Sequence, residues 1–144
     1  MNNLKKHAVN ETGELHLCDA DEELLYCNGD NNKPDKSKPI VAVIYGPGSK
    51  IYADANQKLQ NASMERVRKK GKVKTTAEQS SADSAEFLST ITKGIKNLEE
   101  GVEMTTDKSI LKDLYQDREL GFIADQVAKY SNEWGNFSKP SASS

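Results

Sequence analysis

Cysteines and aromatic residues are scarce in this sequence, and it has no long apolar run. Of its 144 residues, two are cysteines, one is tryptophan and 35% are hydrophobic. A membrane-spanning helix needs about twenty apolar residues in succession, and a signal peptide needs a shorter apolar run near its start. The sequence has neither. We therefore expect one cytoplasmic domain with a modest core, much solvated surface and no membrane association.

An excess of charge of one sign is also missing. The 20 Lys and Arg residues nearly balance the 22 Asp and Glu residues, for a net charge of -2, so no overall field draws the protein to nucleic acid or anionic lipid. Cys18 and Cys27 are expected to stay reduced in the cytoplasm. Together with His7 and His16 they fit none of the usual zinc-ligand spacings. We favour solvated or packed side chains over a weak zinc site, and we expect no metal or cofactor.

Motifs for catalysis are lacking as well. The sequence has no G-x-S-x-G, and the carboxylate pairs at 22–23 and 99–100 lie in polar turns. Gly46–Lys50 stands between a strand and a helix, where phosphate-binding loops occur, but a P-loop separates its glycines by four residues, and Pro47 removes a backbone donor. We favour a turn followed by a helix cap. The sequence predicts a protein that is not an enzyme.

The first third of the chain has strand patterns. Glu14–Cys18 alternates polar and apolar residues, and Leu24–Cys27 follows after the acidic turn Asp19–Glu23, which predicts a β-hairpin. Ile40–Tyr45 is continuous and rich in β-branched residues, which predicts the central strand of a small sheet. We expect residues 1–12 to form a loose arm, and residues 28–39, dense in turn formers, to form a flexible loop.

Helical periodicity follows. Ser49 is placed to cap a helix that runs to about Lys70, before Gly71. Thr76–Gln79 has the form of a capping box and predicts a second helix that closes at Glu99–Gly101. The apolar face of that helix is predicted from residues at helical spacing, which are Leu88, Ile91, Ile95 and Leu98.

Two more helices are predicted in the last third. Thr106 or Asp107 caps a short helix with Ile110, Leu111 and Leu114. The fourth helix has an apolar stripe made of Leu120, Ile123, Val127, Tyr130 and Trp134. The order of elements predicts an α+β fold with a small N-terminal antiparallel sheet, the hairpin plus one strand, followed by a bundle of about four helices. One domain would span residues 1–137, with a disordered tail at 138–144.

Two local features have competing interpretations. Arg66–Lys74 concentrates positive charge, which could bind phosphates, but it has no interleaved aromatic residues. We favour a solvated helix end whose cations complement the helix dipole. The aromatic residues Tyr130, Trp134 and Phe137 either close the core or anchor a partner, and core closure is the commoner fate.

The order and spacing of these elements resemble the tail assembly chaperones of long-tailed bacteriophages, the siphophages. The similar pieces include the strand, turn and helix start at Val43–Tyr52 and the basic helix end at Arg66–Lys74. The helix from Ala77, a short helix at Ile110–Tyr115 and a last helix ending in Phe at Phe122–Phe137 complete the resemblance. Family members often have a Trp where the second helix ends, whereas residues 94–98 here contain none.

The resemblance implies a non-catalytic protein of the host cytoplasm that binds the phage tape measure protein and promotes polymerisation of the tail tube protein around it. Such a protein is absent from the finished virion, and it can form a homo-oligomer. The alternatives are a small structural virion protein, for decoration or tail completion, and a nucleic-acid-binding regulator that uses Arg66–Lys74. We hypothesise a partner-binding groove between two apolar stripes, formed by Leu88, Ile91, Ile95, Leu120, Ile123, Val127, Tyr130, Trp134 and Phe137.

Overall fold

The computed structural model describes residues 4–29, 32–70 and 77–138. Within these ranges the chain forms six strands and four α-helices, so the predicted α+β class is confirmed. In chain order they are β1 (Thr12–His16), β2 (Tyr26–Asn28), β3 (Pro34–Pro39), β4 (Val41–Tyr45), α1 (Lys50–Lys70), α2 (Ala77–Ile91), β5 (Thr92–Lys96), β6 (Met104–Thr105), α3 (Lys108–Gln116) and α4 (Gly121–Asn132). Short 3-10 turns lie at Lys5–His7, Arg118–Leu120 and Trp134–Phe137.

Strand β4 lies at the centre of the main sheet. The sheet has the order β1-β4-β5-β6 with antiparallel neighbours. Ala42, Val43 and Ile44 are all buried, which fits a strand that is covered on both faces. The prediction of a buried central strand at this place is confirmed.

The predicted hairpin is wrong in its pairing. Strand β1 pairs with β4 and strand β2 pairs with β3. Glu14–Cys18 and Leu24–Cys27 are joined by an isolated antiparallel bridge from Cys18 to Leu24. Two hydrogen bonds hold it, one of 2.8 Å from Asp19 N–H to Glu23 O and one of 2.9 Å from Leu25 N–H to Leu17 O. An isolated two-stranded hairpin is marginally stable, and pairing with the buried β4 gives β1 a place in a larger sheet.

The sequence predicts a flexible loop at residues 28–39, whereas Pro34–Pro39 of this segment form strand β3. Strand β3 pairs with β2 in a separate two-stranded sheet, with a bulge between Tyr26 and Asn28. Pro34 and Pro39 stand at the two ends of β3, and proline is tolerated at strand ends and on edge strands because it donates no ladder hydrogen bond.

The second helix ends earlier than its periodicity predicts. Helix α2 stops at Ile91, and the next residues form β5, which pairs with β4. Ile95 is therefore a strand residue, and the predicted continuous helical face from Leu88 to Leu98 is wrong. The apolar spacing fitted a helix, but a place beside β4 in the sheet overrode that local preference.

Lys108 stabilises the junction between α2 and β5. Its ammonium donates hydrogen bonds to the carbonyl oxygens of Ser89, at 3.0 Å, and Thr92. Carbonyls at a helix C-terminus lack partners within the helix, and a cation there also complements the helix dipole. Burial lowers the pKa of Lys108.

Two predicted helix caps are confirmed. Ser49 Oγ accepts a hydrogen bond of 3.1 Å from Tyr52 N–H and donates one of 2.8 Å to Gly46 O, so this hydroxyl belongs to the turn and the cap. Asp107 caps α3 by accepting from Ser109 N–H and Ile110 N–H. The predicted capping residue Thr76, the predicted stop at Gly71, the end of the basic run from residue 71 and the tail from residue 139 lie outside the described residues.

The core lies between the main sheet and the helices. Helix α2 contacts α1 and α3, and α4 contacts α3 and strand β4. Helix α4 ends at Asn132, so Trp134 does not extend its apolar face as predicted, and Ser131 is the last buried residue of the helix. The buried core cluster comprises Leu17, Ala42, Ile44, Ala55, Ala85, Leu88, Ile91, Ile95, Leu111, Tyr115, Ile123, Val127 and Phe137.

Part of the predicted loose arm is packed against the end of the domain. Val9 contacts the core cluster, and Asn10 N–H donates a hydrogen bond of 2.7 Å to Phe137 O. In the described part of the chain, no helix is long and apolar enough to cross a membrane.

Candidate functional site: a groove beside the last helix

A groove of about 490 Å³ runs along one side of α4. Its other side is the segment that continues β1 into the acidic turn. The helix side includes Phe122, Asp125, Gln126, Lys129 and Tyr130, followed by Glu133 and Asn136. The strand side includes Leu15, Cys18, Asp19, Ala20 and Glu22.

Gln126 joins the two sides of the groove. Its Oε1 accepts a hydrogen bond of 2.8 Å from Cys18 N–H, and its Nε2 donates one of 2.7 Å to Cys18 O. The Nε2 group also donates to Phe122 O, one helical turn away, at 3.1 Å. The amide thus forms hydrogen bonds with both backbone groups of Cys18, as a neighbouring strand would. It does so beside β1, which is the edge strand of the main sheet.

Tyr130 forms the far end of the groove floor. Its hydroxyl lies 3.1 Å from Glu14 O and 3.4 Å from Asn136 O, and it donates to these carbonyls. Its ring packs edge-to-face on Phe137, with 5.3 Å between ring centroids. Burial, with a smaller contribution from the Glu14 carboxylate, raises the pKa of Tyr130.

The rim of the groove is acidic on both sides. Asp19 and Glu22 lie on the strand side, Asp125 and Glu133 lie on the helix side, and Lys129 is the one cation among the lining residues. Within the described ranges, none of the four carboxylates forms a salt bridge. The floor between them is supplied by the half-buried apolar surfaces of Leu15, Phe122 and Tyr130.

The partner-binding groove hypothesised from the sequence is not present. Leu88, Ile91 and Ile95 belong to the buried core, because α2 and β5 pack inward against the other elements. Ile123, Val127 and Phe137 are core residues too, and Leu120 is half-buried against the core. Of the nine residues, Tyr130 lines the observed groove.

Trp134 has a different environment from the other two terminal aromatics. It is 57% exposed, whereas Phe137 is 1% exposed. The Trp134 ring lies beside Gly48, where an added Cβ would come within 3.5 Å of Cζ3. Of the two interpretations, closing the core or anchoring a partner, the first describes Phe137. The Trp134 side chain is largely exposed.

Sequence reasoning missed Phe122 and Gln126 as site residues. A signal was present, because Phe122, Gln126 and Tyr130 recur at four-residue intervals and so share one side of α4. That side borders the buried stripe of Ile123 and Val127. The strand side could not be found from a local pattern, because Cys18 and Gln126 are 108 residues apart.

The cysteines and histidines do not gather into a metal site in the described residues. Cys18 and Cys27 are both free thiols, and Cys27 is buried. The His16 ring is held by Leu25 O, which lies 2.8 Å from Nε2, and by an edge contact with Tyr26. No group of three or more His, Cys, Asp or Glu residues in this part of the chain has the arrangement to hold a metal ion.

Comparison with known proteins gives no match: no protein-family model, no curated protein and no solved structure matches the chain.

We expect Gln126→Leu to lower the free energy of unfolding by about 1–3 kcal/mol, because Cys18 N–H and Cys18 O would lose their partner in a half-buried place. Chemical denaturation measures this change. The matched control is Gln116→Leu, an exposed glutamine of α3, which should change stability by less than about 0.5 kcal/mol. Equal losses in the two variants would contradict a structural role for the amide clamp.

Proposed function

We propose that this protein is a tail assembly chaperone of a long-tailed bacteriophage. In this proposal it binds an apolar segment of the tape measure protein in the cytoplasm of the infected bacterium and catalyses no reaction. The observation that carries the proposal is the apolar groove beside α4. The order of elements from Val41 to Phe137 supports it, because that order resembles the family.

The dimensions of the groove suit a helical partner. Phe122 and Tyr130 stand eight residues apart on α4, which is about 12 Å along the axis or roughly two helical turns. Amphipathic helices are commonly recognised in grooves of this kind, through side chains that repeat on one face. A long helical tape measure protein would expose such faces until the tail tube covers them.

The modest size of the groove fits a temporary complex. A two-turn contact with a polar rim covers less surface than a permanent interface does. The tail tube protein could then displace the chaperone as it polymerises, since a weak complex dissociates quickly. The chaperone would stay behind when the virion is complete.

The test is binding of the tape measure protein to a Phe122→Ala variant. We expect at least about a tenfold loss of affinity, because a half-buried aromatic residue on the floor of a groove is a typical hot spot. Affinity is measured by titration calorimetry with the co-expressed and purified partner. Circular dichroism and melting of the variant establish that it is folded.

Ile110→Ala is the matched control, because Ile110 is an exposed apolar residue on α3, 40% exposed and outside the groove. This variant should bind the tape measure protein as the unchanged protein does. Equal affinity of both variants would place the interface elsewhere. Mass spectrometry of purified virions separates the alternative of a structural virion protein, since finding the chain there in stoichiometric amount would contradict a chaperone that is left behind.

A further inference from the structure

The charges around the groove restrict what can occupy it. Carboxylates flank the apolar floor on both sides, with Asp19 and Glu22 on the turn and Asp125 and Glu133 on the side of α4, where Lys129 is the one cation of the lining. Glu22, Asp125 and Glu133 are exposed. Asp19 Oδ1 accepts hydrogen bonds from Asp21 N–H and Glu23 N–H within the turn. Because the described residues offer the three exposed carboxylates no salt bridge, their charge is available to an approaching partner.

We infer that the groove binds a basic amphipathic helix, whose apolar stripe lies on the floor while lysine or arginine residues on both flanks meet the two acidic sides. This inference rests on the proposed function and adds the chemistry of the partner segment. The apolar stripe contacts Leu15, Phe122 and Tyr130. One flank faces Glu22 and the other faces Asp125 and Glu133.

The same arrangement disfavours other occupants. An acidic helix would bring its carboxylates against those of the rim on both sides, which costs binding energy and lowers the association rate. Nucleic acid and anionic lipid carry the same sign of charge as the rim. A neutral apolar helix would fill the floor but gain nothing from the four carboxylates.

Two synthetic peptides test the inference. The first is an amphipathic helix with leucines at positions i, i+3, i+4 and i+7 and lysines on both flanks, and the second replaces every lysine by glutamate. We expect the lysine peptide to bind at least about tenfold more tightly, and its affinity to fall as salt is added, because the flanking pairs are partly exposed. Fluorescence anisotropy of labelled peptides measures both affinities.

The place of binding is read from Cys18. This thiol lines the groove and is half-buried, whereas Cys27 is buried, so the unmodified protein already carries a reporter. We expect the lysine peptide to slow alkylation of Cys18. Peptide mapping measures the rate of this alkylation. Binding of the lysine peptide without any protection of Cys18 would overturn the inference.

Neutralising one carboxylate on each side tests the role of charge. The variant Glu22→Gly with Asp125→Asn should lose about tenfold in affinity for the lysine peptide. Glu22 has a φ of 66°, which glycine adopts without strain, so this variant should melt no lower than the unchanged protein. The matched control is Asp113→Asn, at an exposed carboxylate of α3, and it should bind normally.

The outcomes separate this inference from the proposed function. Equal affinity of the two peptides, or no effect of the neutralised variant, would overturn the basic helix. A loss of tape measure binding by Phe122→Ala would in that case still support the proposed function. If the lysine peptide binds as expected and the tape measure protein does not bind at all, the basic helix stands and the proposed function is wrong.

Discussion

Phe137→Ala should lower the free energy of unfolding by about 3–5 kcal/mol, the range for removing a buried aromatic side chain. Phe137 is 1% exposed, and its ring packs against the ring of Tyr130. An added Cβ at Gly46 would come within 2.5–2.7 Å of three atoms of the Phe137 ring, so the ring lies directly on the turn after β4. The side chain therefore fixes the 3-10 turn at Trp134–Phe137 to the sheet.

The control for this prediction is Trp134→Ala, three residues earlier. Trp134 is 57% exposed, so its removal should change stability by less than about 1 kcal/mol, although tryptophan is the larger residue. Both changes are measured by chemical denaturation. Comparable losses in the two variants would mean that the burial of Phe137 does not determine its contribution.

A second variant identifies the contact that matters. Gly46→Ala forces a Cβ against the Phe137 ring and should cost about 1–3 kcal/mol by overpacking. In a protein that already carries Phe137→Ala the same change should cost much less, because the ring is gone. Such coupling is expected between residues in direct contact, and strictly additive losses would contradict it.

Local signals predicted the elements that are specified locally. The β-branched run Ile40–Tyr45 gave the central strand, and Ser49 and Asp107 gave two helix starts, because each depends on residues within a few positions of itself. These features follow from backbone preference and short-range hydrogen bonds.

Tertiary pairing decided the elements that were predicted wrongly. Leu88, Ile91 and Ile95 satisfy helical spacing, yet Ile95 is 0% exposed in strand β5, where it lies opposite Ala42. Similarly, Glu14–Cys18 has a strand pattern, but its residues up to His16 pair with β4, and only a bridge from Cys18 joins it to the nearby Leu24. A pattern within one segment predicts the type of element, whereas the choice of neighbour depends on distant segments.

The candidate site could be predicted only in part for the same reason. The last helix and Tyr130 were identified from periodicity, and Tyr130 does line the groove. The floor of the groove also includes Leu15, and its two sides are joined by the hydrogen bond between Gln126 and Cys18. Periodicity alone does not distinguish the core-facing side of a helix from a side that lines a groove. The difference depends on which other segments pack against each side.

We expect the free energy of unfolding to fall steeply at alkaline pH, because Tyr115 ionises there. This residue is 5% exposed, and burial raises its pKa to about 12. The Thr92 hydroxyl donates to Leu88 O at 2.7 Å, so the Tyr115 hydroxyl donates to Thr92 Oγ1, also at 2.7 Å. Ionisation would abolish this donor and leave a charge in the core.

The direction of the pH dependence follows from the raised pKa. In the unfolded chain Tyr115 ionises near its ordinary value of about 10, whereas the folded protein keeps the proton up to about 12. Its contribution is therefore fully present below pH 10 and is lost as the pH rises through 12. The loss is about 1.4 kcal/mol for each pH unit between these values, or roughly 2.7 kcal/mol in all.

The measurement is the free energy of unfolding by denaturant at a series of pH values from 8 to 12. Tyr115→Phe should start about 1 kcal/mol lower at pH 8, because one buried hydrogen bond is lost, and should decline less steeply above pH 10, so the two curves converge. The control Tyr26→Phe, at a half-buried tyrosine of β2, should retain the decline that Tyr115 causes. If Tyr115→Phe loses stability as steeply as the unchanged protein above pH 10, ionisation of another group opens the fold.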